Sequence, residues 1–506
     1  VTPSHDDESA AARSGPRPDP IPGTPNPDSP SPSPSGPRAP SRRPTPRRLG
    51  WALVAGVAAL GLGAALVVGL GNDPEAAPAT TATPAASARA LRGAAVAPGV
   101  AAASDATLIY AVVGAPTTAG FTVSTKTAGA VSVRLVVSPD PTLATGTVYG
   151  APAVPDADGW GKPSVTGLAP GTAYFYAVEL TDAAGATTTT DVQGAPATLA
   201  GGPASFTVAF GSCLKLGADD EVAFTHLLAR SPDLFFHLGD FHYADNSSTS
   251  QASHLADLED QLAGNPALRS VLAAVPTLAI KSDHDAGGGN DAGPGPYTAP
   301  NRAAYQQMFA TPPLTDPAAL YWSFTTGRVK FIFTDHRYPR TATSMMGAAQ
   351  EAWFKNELTT PEPVKVWVQD STWNTRADPE PGGDKWSDYP AEHAALGSFI
   401  ADSAVGKVIS LHGDQHALAA DDGSHNDWGG FPTFSAGPFR QAASHKGGPW
   451  SDGRYPKSTG SVVQQYAVLS VTDTGSSLDV TVTGYDSDDE ARVSLTVTVD
   501  APVAVG

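Results

Sequence analysis

The chain has 506 residues with 50 acidic against 31 basic side chains, a formal charge of −19, and a length suited to two or three domains. That acidity excludes a nucleic-acid or anionic-lipid surface, because gripping phosphates along a polymer or bilayer needs a basic face. Its single cysteine, Cys213, excludes an intramolecular disulfide and paired CxxC zinc sites, so packing and metal ions are left to hold the fold.

Residues 1–48 contain 14 prolines and almost no bulky apolar side chain, which predicts a disordered, cytoplasmic tail. No residue from Leu49 to Asn72 is charged, and a helix over 49–71 is long enough to cross a bilayer. Arg42, Arg43, Arg47 and Arg48 stand immediately before it, so the positive-inside rule predicts a single-pass membrane protein with everything after residue 72 outside the cytoplasm. Ala86-Ser87-Ala88 offers a cleavage site and the twin arginines an export signal, the alternative in which the protein is secreted. Residues 72–105, rich in Ala, Pro and Thr, read as a linker.

Over 106–200, runs such as Leu108–Val113, Ser132–Val137 and Ala173–Leu180 alternate between Gly, Pro and Asp turns and predict a small β-sandwich acting as a spacer. Within it, 165–176 resembles the strand-turn-strand signature of fibronectin type III-like domains. From 203 to 503 the pattern becomes α/β. Strands are predicted at Phe206–Phe210, Leu234–Phe236, Val275–Ile280, Val329–Phe333, Val364–Val368 and Val408–Leu411, and helices at Asp219–Arg230, Ala349–Leu358 and Ala391–Ile400. The last 45 residues return to alternation and predict antiparallel strands closing a second sheet.

In α/β sheets, chemistry collects at the carboxyl ends of strands. Those ends carry Gly211-Ser212-Cys213, Gly239-Asp240-Phe241-His242-Tyr243, Ser282-Asp283-His284-Asp285 with Asn290-Asp291 beyond, Asp335-His336-Arg337, and Gly413-Asp414-Gln415-His416. Each has a bland explanation as a turn or core residue, but turns have no need for His, Cys and Tyr. The chemistry that fits is a two-metal site with Asp240 as the shared carboxylate. Cys213, Tyr243 and His416 suit a trivalent iron, and Asp283, Asp414 and Asn290 suit a harder divalent ion such as calcium or manganese.

These motifs, with Asp-x-Arg-x-x-Arg at Asp335 to Arg340, Gly347-Ala-Ala-Gln350 and 384–390, resemble those of the alkaline phosphatase D (PhoD-like) family of metallophosphoesterases, from about residue 100 to the C-terminus. The resemblance implies a four-layer α/β (α+β) sandwich preceded by a small all-β domain, and metal-dependent hydrolysis of phosphate mono- or diesters. It implies that Cys213, Asp240, Tyr243 and His416 hold Fe3+, that Asp240, Asp283 and Asp414 hold Ca2+ or another divalent ion, that His284 stabilises the transition state or protonates the leaving group, and that Arg337 clamps a phosphate oxygen or serves as an ion-pair partner. Two positions depart from the family pattern. Lys281 and Ser282 stand where it usually has Trp-Asp, and the spacing from His284 to Asn290 is one residue longer. The competing expectations are a purple acid phosphatase or nucleotidase-like hydrolase, which would carry Asp-x-His around position 213, and a non-catalytic cell-surface binding or spacer protein. Substrate choice is expected in loops 243–265 and 417–460.

Overall fold

The computed structural model describes residues 104–217, 222–290, 293–375, 383–402 and 404–501. The tail, the membrane segment 49–71 and nearly all of the linker lie outside them. Among the described residues no helix is long and apolar enough to cross a membrane.

Residues 107–189 form two four-stranded sheets. One holds Thr107–Thr117, Gly120–Ala128, Trp160–Gly161 and Ser164–Val165, the other Val148–Tyr149, Ala130–Ser138, Phe175–Asp182 and Thr187–Thr189. Alternation explains the packing: Val133, Leu135 and Val137 from one strand meet Tyr176, Val178 and Leu180 from its neighbour in one core. The spacer expectation needs correcting, because this unit is fastened to the helices beside it. The Tyr176 hydroxyl donates to Ala273 O at 2.7 Å, Lys126 pairs with Glu259 at 2.7 Å, and Ala115 N donates to Ala310 O at 2.9 Å.

Two further sheets stack face to face. The first runs Thr277–Ile280, Leu234–Leu238, Phe206–Leu214, Tyr466–Asp473, Ser477–Tyr485, Ala491–Asp500, with the first three strands parallel and the last three antiparallel. The C-terminal strands therefore extend the first sheet, contrary to expectation: Tyr466–Asp473 lies beside Phe206–Leu214, with Ala467 opposite Phe210 and Val471 opposite Phe206. The second sheet runs Trp322–Thr326, Val329–Phe333, Val364–Gln369, Lys407–His412, Thr433–Ser435, Leu418–Asp421, Arg454–Tyr455.

Period two along Val329–Phe333 shows the layering. Phe331 and Phe333 pack edge-on against Phe236 of the first sheet, whereas Ile332 faces outward to the cluster of Phe354, Trp367 and Leu396. Gly347–Leu358 and Pro390–Ile400 cover that outer face, while Val222–Ala229 and Pro266–Ala274 cover the first sheet through Phe224, Leu227, Leu268 and Val271. The order is helices, sheet, sheet, helices. The helix Pro266–Ala274 starts where Pro occupies the first turn and the Asn265 side chain caps Leu268 N at 2.9 Å.

Candidate metal centre

The strand from Phe206 continues through Cys213 to Leu214 because its end gains a second partner, Pro438–Ala442, with Pro438 opposite Ser212 and Arg440 opposite Leu214. Cys213 N donates to Gly239 O at 3.0 Å and Leu214 N to Asp240 O at 2.8 Å, tying two strand ends together. Glycines make the approach of further strands feasible. A Cβ on Gly413 would lie 2.3 Å from Leu238 O, and one on Gly239 would lie 2.5 Å from Ser282 Cβ.

Five residues here, Cys213, Asp240, Asp245, Asp414 and His416, adopt left-handed backbone with φ between 51 and 58°. Non-glycine residues hold that conformation where the surroundings overdetermine it, and such outliers gather at functional sites.

The donor atoms of Cys213, Asp240 and His416 lie within 4.8 Å of one another, as do those of Asp240, Asp283 and His284. Asp240 is shared, and its two oxygens face opposite ways. Oδ2 accepts from Cys213 Sγ at 3.4 Å and from the Tyr243 hydroxyl at 2.9 Å, while Oδ1 accepts from His284 N at 3.3 Å. The Tyr243 hydroxyl also lies 3.2 Å from His416 Nε2, and His416 Nδ1 donates to Ala442 O at 3.1 Å, which leaves Nε2 directed at the cluster. Asp283 and His284 ride on the single turn Asp283–Ala286, whose Ser282–Asp285 capping box fixes its start.

Asp414 is buried beside these groups, and its Oδ1 accepts from Lys446 Nζ. Asn290, in contrast, is exposed beyond the glycines at 287–289. Arg337 is fully buried, with Nε on Asp370 at 2.6 Å, Nη1 on Asp384 at 3.2 Å and Nη2 on Ser282 Oγ at 3.0 Å. Of the two roles expected for Arg337, the geometry carries the ion pair. Asp335 and His336 likewise turn inward: Asp335 accepts from Leu320 N at 2.8 Å and Arg337 N at 2.9 Å, and His336 lies 3.0 Å from Asp370.

The electrostatics match a cation-binding cluster. Burial, with Asp283, Asp285 and Asp414 nearby, pushes Asp240 well above the ordinary carboxylate range. Burial pushes Asp414 up to about 7 even though Lys446 opposes it, and burial with Asp240 and Asp414 raises the Cys213 thiol. Burial also lowers His416 to about 4, keeping it the neutral imidazole that metal binding requires. Burial would raise Asp283 as well, but Arg337, His284 and Lys446 hold it at about 2. Enclosed acceptors that repel one another take up either protons or cations, so the donor set fits metal ions.

Three residues at the centre lie in segments that the sequence singled out, but were given no individual role. Asp245 Oδ1 lies 2.5 Å from His284 Nδ1, Asp384 pairs with Arg337, and Lys446 holds Asp414. Lys446 falls inside the loop region 417–460 expected to choose substrate, and the glycine pair after it, Gly447-Gly448, was the available signal.

A double sheet thus carries this donor set at its strand ends. Residues 208–443 match the family model described as PhoD-like phosphatase. The chain therefore carries a PhoD-like phosphatase domain and is a phosphoric ester hydrolase. It resembles a solved structure of PhoD at 19% identity and a TM-score of 0.60, covering 77% of this chain and 90% of that one. It also resembles the purple acid phosphatase PPD1 from yellow lupin (Lupinus luteus) seeds, at 14% identity and a TM-score of 0.58, covering 78% of this chain and 74% of that one. At these identities the two structures share the fold. No curated protein matches the chain.

Proposed function

We propose that the chain hydrolyses phosphate mono- or diesters outside the cytoplasm with a mixed-metal centre, Cys213, Tyr243, His416 and Asp240 holding Fe3+ and Asp240, Asp283 and Asp414 holding Ca2+ or another divalent ion. The observation that carries this reading is the divided Asp240 carboxylate, one oxygen facing the thiol and phenol and the other facing the turn of Asp283 and His284. Metal ions bound there would polarise the phosphoryl group and activate a water at neutral pH. His284 has Nδ1 on Asp245, so the nitrogen left to meet a leaving oxygen is Nε2, and we assign His284 that role.

Purified protein is expected to contain iron and to be coloured, because thiolate and phenolate both donate charge to ferric iron. Cys213→Ala should lose iron and activity together while remaining folded. Fully active, iron-free, colourless protein would overturn the ferric assignment, and metal-loaded protein inactive on generic mono- and diesters would overturn the function itself.

The extracytoplasmic location rests on the four arginines before the uncharged segment 49–72, and the fibronectin type III-like reading of the sandwich on the turn signature at 165–176. Protease added to intact cells should remove the catalytic domain, and full protection would refute the orientation.

A further inference from the structure

Lys446 lies in the segment after Pro438–Ala442, and that segment is pinned on both sides of it. Ser444 N donates to His416 O at 3.3 Å and Ser444 Oγ to Gln415 O at 3.1 Å, and Gly448 N donates to Asn374 O at 2.7 Å. Position 447 must be glycine, since a Cβ there would lie 2.5 Å from Thr372 Cγ2 and 2.6 Å from Asn374 O. The backbone thus delivers one long cationic side chain to the rim of the centre. That side chain is 31% exposed and bonded to Asp414, whereas the Arg337 guanidinium is wholly enclosed and bonded through Nε, Nη1 and Nη2. Lys215 is also nearby, but it is exposed and its Nζ lies over the Tyr243 ring, 6.0 Å from the ring centroid.

We propose that Lys446 binds the substrate phosphate and makes the centre prefer monoesters to diesters. The inference rests on the phosphoesterase reading above. If Asp414 ligates a metal ion, its carboxylate turns from the ammonium, and a compact charge on a flexible stem at the rim is then directed to an anionic oxygen of the bound ester. A monoester dianion presents an unsubstituted charged oxygen where a diester presents an alkylated one. A lysine there therefore strengthens monoester binding more, and in a chain of net charge −19 such a cation matters for any dianion.

The test uses metal-loaded full-length protein, with inorganic phosphate binding measured by calorimetry, metal content measured directly, and kcat/KM measured for 4-nitrophenyl phosphate and bis(4-nitrophenyl) phosphate. Lys446→Met should keep its metal and bind inorganic phosphate about tenfold to a hundredfold more weakly, as expected for a lost hydrogen bond between charged groups. Its kcat/KM should fall about tenfold more for the monoester than for the diester. Lys446→Arg should restore much of both, and Lys215→Met should leave the monoester-to-diester ratio unchanged. Equal losses on both esters, unaltered phosphate affinity, loss of metal, or the same ratio change in Lys215→Met would each overturn the assignment. Wild-type protein that binds phosphate without metal, or hydrolyses neither ester, would instead overturn the underlying reading.

Discussion

At the ends of Phe206–Leu214 and Leu234–Leu238, acceptors crowd around one carboxylate. At the ends of Val329–Phe333 and Val364–Gln369, charges pair off within the protein. Cys213, Tyr243 and His416 surround Asp240 with Asp283 on its other side, whereas Arg337 meets Asp370 and Asp384, and His336 lies 3.0 Å from Asp370. The consequence appears in the carboxyls. Burial opposes the charged form in both places, yet Arg337 and His336 hold Asp370 at about 2 while Asp240 is driven well above its usual range. A balanced buried cluster needs nothing from outside, and an unbalanced one is a site for an added cation. The same residue types after strands thus serve as a paired scaffold in one cluster and as crowded acceptors in the other.

The largest expected effect tests the unbalanced side. Asp240→Asn removes the negative charge of the shared carboxylate and should remove at least one metal ion and lower kcat about a thousandfold, the scale of several kcal/mol supplied by metal catalysis. Metal content and steady-state rates check this, and a variant with full metal and full rate would erase the distinction between the two clusters.

The balanced side should fail differently. Arg337→Met leaves Asp370 and Asp384 buried without their guanidinium, which should cost about 3–5 kcal/mol of stability in urea unfolding while the folded fraction keeps its metal. A large loss of turnover with stability intact would instead place Arg337 on the substrate.

These outcomes bear on how far the amino-acid sequence reveals this molecule. Period-two runs located the central strands, and the motif residues Cys213, Asp240, Tyr243, Asp283, His284 and His416 do gather. The destination of Tyr466–Asp473 was illegible because alternation reports which face is buried, not which neighbouring strand supplies hydrogen bonds. Arg337 was ambiguous for a related reason. Whether a cation after a strand points to solvent or inward depends on partners 33 and 47 residues away, Asp370 and Asp384. Lys446 was hidden in a loop whose path is set by contacts with Asn374 and Thr372. Local pattern reveals the donors on strand ends, and long-range packing decides which of them remain unpaired by the protein itself.

The smallest effect separates the two regions by pH. His393 is sandwiched in the second sheet's outer cluster, its ring stacked at 4.2 Å on Trp428 and edge-on at 4.2 Å to Trp373, and burial lowers it to about 3. The unfolded chain protonates this imidazole near pH ~6.5, so between there and about pH 3 the unfolded state binds the extra proton and stability falls as pH falls. Asp414 has the opposite sign. Raised to about 7 without metal, it binds a proton in the fold before the unfolded chain does, so its contribution is fully present below pH ~3.8 and is lost as pH rises through about 7. A metal ion that claims the carboxylate abolishes that contribution but leaves His393 untouched. Urea unfolding at pH 6.5 and 5 should therefore show His393→Phe losing less stability than wild type on acidification, by about 2 kcal/mol at ~1.4 kcal/mol per pH unit, with or without a chelator. Chelation, by contrast, should flatten the acid loss of both proteins. If the His393→Phe difference vanished on chelation, the outer aromatic cluster of the second sheet and the acceptor cluster around Asp240 would be coupled rather than separate.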